Sequence, residues 1–121
     1  MPIFEECRPG DNRPRAAIES LRAWVQGDLS MTACRTAAFA AHAAAREAAQ
    51  AGAMAAVAAA RAAGQAAAVA HMSDHSAHSA IYAAKAVGLK GSGEPTRNAE
   101  RLWQWEILEP TLRPIGFPKG L

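Results

Sequence analysis

Bulky apolar side chains are what this chain has least of. Aromatic residues make up only 6% of it, with three Trp, three Phe and one Tyr, and much of its 50% hydrophobic content is alanine. Each buried position therefore removes little apolar surface from water, and stability must come from many close contacts. Acidic and basic residues nearly balance, at a formal net charge of +2, and the arginines are scattered, not gathered in a run. That pattern argues against nucleic acid as the main partner. Two cysteines, Cys7 and Cys34, have no metal-type spacing and are expected as reduced thiols, Cys34 as a small core residue. No apolar targeting segment is expected at the start, because MPIFEECRPGDN places two glutamates and two prolines there. The one long apolar run, AMAAVAAARAAGQAAAVA, carries Arg61 and Gln65 near its middle. An arginine at a helix centre costs about 2.5 to 3.5 kcal/mol on insertion, so no membrane span is expected and the protein reads as cytoplasmic.

What is abundant is alanine, the best helix former and too small to hold helix axes apart. The expected fold is all-α: one Ala-rich domain over residues 1–121, a bundle of about five helices with an N-terminal turn segment (1–12) and an irregular, Pro- and Gly-rich tail (110–121). A first helix should follow Asn12, its expected cap, from about Arg13 to Gln26, stopping at Gly27. Its stripe is Ala17, Ile18, Leu21, Trp24 and Val25. A second should run from about Met31 to Ala51 behind a cap at Ser30 or Thr32, and a third from Ala53 to about Met72. Gly64, inside the third, costs about 1 kcal/mol relative to Ala and suggests close approach of another helix. A break at Ser73 and Asp74 should start a fourth, ending at Gly88. After the loop LKGSGEPT a last helix should run from Pro95 to about Leu108. Trp103 and Trp105 cannot share a face, so one should be core and the other meet a loop, the tail or a second chain. Leu112, Ile115 and Phe117 should fold back on the bundle.

One stretch concentrates titratable side chains. In VAHMSDHSAHSAIYAAKAV, His71, His75 and His78 stand at i, i+4 and i+7, with Tyr82 following at i+11. His42 shares a sparse polar stripe with Arg35, Phe39 and Arg46 on the second helix. The candidate site is a polar seam of Arg35, His42, His71, His75, His78 and Tyr82, suited to recognition or to joining helices, since Lys and Glu are nearly missing between Arg61 and Lys85. The alternative is a divalent metal such as zinc on His71 and His75, completed by His42, Cys34 or Asp74. His78 lies roughly 10.5 Å along the axis from His71, too far to share one ion easily. No nucleophile motif, paired carboxylates or phosphate loop accompanies the histidines. An enzyme is therefore not the favoured reading, and no cofactor is expected on that reading. Arg35 and His42 have the Arg-x(4–6)-His spacing of HEPN-type ribonucleases, without the polar residue usual between them.

Three segments agree in order with one family. RPGDNRPRAAIESLRAWVQGDLSMTACRTAAFAAHAAAREA, AARAAGQAAAVAHMSDHSAHSAIYAAKAV and ERLWQWEILEPTLRP resemble the bacterial immunity-protein-5-like domain. The resemblance spans residues 3 to 118 and includes Asp11, Arg13, Pro14, Arg15, His42, His71, His75 and Tyr82. It implies a small all-helical cytoplasmic protein that neutralises a cognate toxin by binding it. The family usually has further helix before PIFEE. Its absence here would leave apolar surface that a homodimer could cover.

Overall fold

The computed structural model describes residues 2–70 and 75–121, and among them every regular element is helical, with no strand. The elements are α1 (Pro2–Cys7), α2 (Arg13–Val25), α3 (Met31–Gln50), α4 (Met54–Ala68), α5 (His75–Lys90), α6 (Glu94–Ile107), a 3₁₀ turn (Pro110–Leu112) and the single turn α7 (Arg113–Gly116).

Local chemistry sets most of these bounds. The Ser30 side chain accepts the Ala33 N–H at 3.1 Å, so α3 starts behind a capped turn as expected. After α2 and α3 the chain turns through Gly27 (φ 81°) and Gly52 (φ 74°), conformations that cost glycine nothing. Asn12 makes no cap. The Asp11 carboxylate takes the Arg13 N–H instead, at 3.1 Å. The described break between α4 and α5 includes a turn at Val69 and Ala70, so α4 ends at Ala68, short of the expected Met72. Residues 71–74, where Ser73 and Asp74 were expected to restart the helix, lie outside the described residues.

α4 is the centre of the bundle and packs against α1, α2, α3 and α5. Nine of its fifteen residues are buried, eight alanines and Gly64. Most of the core is alanine. Phe4, Pro14 and Cys34 are its largest fully buried side chains. Ile18, Leu21, Trp24 and Leu29 pack around one end. Val25, expected on the buried stripe, is 71% exposed. With so little side-chain bulk between them, helices approach until a single Cβ matters. Gly88 shows this. It does not end α5 but sits buried inside it, where an added Cβ would meet Cβ of Arg97 at 2.9 Å and the Gly93 carbonyl at 3.0 Å. Glycine here lets α6 lie against α5.

The ends differ from expectation. The N-terminal segment is not all turn, because α1 drives Phe4 into the core beside Ala44, Ala56 and Ala86. Residues 110–116 are helical despite their prolines, since Pro is tolerated in the first turn of a helix. Phe117 is buried, whereas Leu112 (44%) and Ile115 (61%) stay exposed. Neither late tryptophan is core. Trp105 packs edge-on to Phe117 of the tail at 5.2 Å between ring centroids, and Trp103 is 54% exposed.

Candidate functional site

The polar seam forms where α3, α4 and α5 meet, and α4 supplies its middle. Cys34–Ala67 and His42–Arg61 contacts run α3 antiparallel to α4, which turns His42 into the interface. The His42 ring lies where a Gly64 side chain would stand. A Cβ on Gly64 would meet ring atoms Nε2, Cε1 and Cδ2 at 2.6, 2.7 and 2.9 Å. The close approach expected at Gly64 is thus a side chain from α3. Arg61 Nη1 donates to His42 Nδ1 at 3.1 Å, which fixes the neutral ring as the Nε2–H tautomer. Burial, then the Arg61, Arg46 and His75 charges, hold the His42 pKa below its usual 6.5.

One turn further along α4, Gln65 Oε1 takes a hydrogen bond of 2.5 Å from His75 Nδ1. Ser79 donates to the Ala62 carbonyl at 2.8 Å, so α5 also runs antiparallel to α4. His75 and His78 rings meet edge to face at 6.0 Å. Beyond them the seam opens to solvent in a cavity of about 450 Å³ lined by Gln65, His78, Ile81, Tyr82, Lys85 and Arg97. His42 and His75 therefore come together through Arg61 and Gln65, two residues that the sequence offered only as breaks in an apolar run.

Arg35 does not join them. It is exposed and lies over the Phe39 ring at 5.3 Å, while His42 faces α4, so the two are not paired in the manner of the ribonuclease spacing. His71 and Asp74 lie outside the described residues. Cys34 donates its thiol to the Ala67 carbonyl at 3.2 Å, and burial raises its pKa, which opposes the thiolate a metal requires. Among the described residues no group of three His, Cys, Asp or Glu side chains is placed to hold a metal ion. An apolar cavity of about 370 Å³ between α1, α2, α4 and α5 is lined by alanines, Ile3, Ile18 and Val87. Its one hydroxyl, Ser79, is committed to α4.

α6 carries a feature that residue spacing alone did not orient. Its inner side mixes polar and aromatic groups: Gln104 Nε2 donates to the Ala80 carbonyl of α5 at 3.1 Å, the Arg101 guanidinium stacks on Phe117 at 4.0 Å, and Trp105 meets the same ring edge-on. Its other large apolar residues are largely exposed. Leu102, Trp103 and Ile107 are 45, 54 and 61% exposed, and no residue of α6 is buried. An amphipathic helix normally turns its apolar stripe to the core. Here the stripe is presented to solvent, with Leu112 and Ile115 of the tail also exposed.

Among the described residues no helix is long and apolar enough to cross a membrane. No curated protein and no solved structure matches the chain. The model of one family does match, over residues 1–111, and the chain belongs to that family, the Imm-5 like putative immunity proteins.

Proposed function

We propose that the protein acts by binding, and that it neutralises a cognate bacterial toxin in the cytoplasm through direct protein contact. The outward apolar stripe of α6 carries this reading. A Trp and two branched aliphatic side chains held on a helix by polar contacts behind it form a rigid anchor of the kind that concentrates binding energy at interfaces. Family membership supports a protein as the occupant. The seam has a divided role on this reading: His42, Arg61, Gln65 and His75 lock α3, α4 and α5 together, and His78 and Tyr82 border the surface beside α6.

The test is co-elution on size exclusion with the product of the adjacent gene, using the wild-type chain and Trp103→Glu/Ile107→Glu. The wild type should co-elute, and the variant should elute alone with an unchanged circular dichroism spectrum. Co-elution that survives the double substitution defeats the assignment to α6. Light scattering of the chain by itself reads the competing occupant. A dimeric mass that the variant converts to monomer would assign the stripe to a second copy.

A further inference from the structure

Three surface cavities share residues and join into one furrow along α5, α6 and the tail. The seam cavity of about 450 Å³ shares His78 and Ile81 with one of about 450 Å³ beneath the tail, and Arg97 with one of about 500 Å³ at the start of α6. Among the described residues its walls carry His78, Lys85, Arg97, Arg101 and Lys119, and the one acidic side chain lining it is Glu94, at one end. Residues 75–93 of the sequence contain no Asp or Glu. Glu100 of α6 accepts from Gln104 at 3.2 Å. Among the described residues no ion pair joins Arg97 or Lys85 to an acid within the furrow. Burial, and then the like charge of Arg97, lower the pKa of Arg101.

We propose that this furrow binds an acidic, partly apolar protein segment, with carboxylates on Lys85, Arg97 and Lys119 and apolar side chains on Ile81, Ile115 and Leu121. This rests on the reading of the chain as a protein-binding immunity protein and names the chemistry of its partner. Charge complementarity selects an anionic partner. Nucleic acid fits worse, because single strands need open rings on which bases stack. Phe117 is buried and covered by Arg101, and Tyr82 is half-buried. The apolar walls instead suit aliphatic side chains between the acids.

The experiment is fluorescence anisotropy with two labelled probes, a short peptide of alternating glutamate and leucine and an oligothymidylate. It compares the wild-type chain with Lys85→Glu/Arg97→Glu/Lys119→Glu. All three positions are exposed, so the fold should survive, as circular dichroism will verify. The peptide should bind the wild type, weaken with added salt, and lose on the order of tenfold in affinity in the variant. No peptide binding, binding unchanged in the variant, or oligothymidylate binding as tight as the peptide's would overturn the proposal. The co-elution experiment reads Trp103 and Ile107, not these cations, so either reading can fail without the other.

Discussion

Gly64→Ala is the sharpest probe of the seam, because two opposed effects meet at one methyl group. In an exposed helix interior the substitution would stabilise by about 1 kcal/mol. Here the new Cβ would stand 2.6 Å from His42 Nε2 and under 3 Å from two more ring atoms, closer than carbon and nitrogen can approach. The ring must turn away, which breaks its 3.1 Å bond to Arg61. Overpacking costs about 1–3 kcal/mol, and a lost hydrogen bond about 0.5–1.5 kcal/mol. Those terms exceed the helix gain, so the variant should be less stable by roughly 0.5–3.5 kcal/mol. Removing the ring reverses the sign. In a His42→Ala background, Gly64→Ala should stabilise by about 1 kcal/mol. Urea unfolding followed by far-ultraviolet circular dichroism measures both legs of the cycle. If Gly64→Ala stabilises the wild-type background as much as the His42→Ala background, His42 does not occupy that space.

Two further outcomes follow from the same packing. His42 has a folded pKa below 6.5, so the unfolded chain takes up the proton first. Its contribution is complete above pH 6.5 and is lost as pH falls through the folded value. His42→Gln should remove that slope and leave the one at lower pH, where Glu5, held at about 2 chiefly by its hydrogen bonds from Arg15, loses its contribution. An unchanged slope just below pH 6.5 in His42→Gln would contradict it. A thiol reagent should titrate Cys7, which is exposed, in the native protein and reach Cys34 only on unfolding, and equal native rates would contradict the buried placement.

Helix starts and stops were legible because they rest on local chemistry: Ser30 as a cap, Gly27 and Gly52 at the turns, Pro95 in the first turn of α6. What alanine conceals is facing. Where nearly every residue on a helix is small, no bulky stripe marks the buried side, so the central position of α4 and the partners of His42 could not be read from spacing. Gly88 was misread for a related reason. A glycine needed for close approach looks, in sequence, like one that ends a helix. α6 is amphipathic, yet Leu102, Trp103 and Ile107 face solvent, because such a pattern records only that the residues need an apolar neighbour. It does not say that the neighbour is in the same chain. The helical turns at residues 2–7 and 113–116 were missed because one turn has too few residues for periodicity to register.

Growth of bacteria expressing the adjacent gene's product, with and without the chain, tests the proposed protection by contact through α6. The wild-type chain should restore growth, and Trp103→Glu/Ile107→Glu should fail to do so while accumulating to the same level. Full protection by that variant, or no protection by the wild type, would contradict the account.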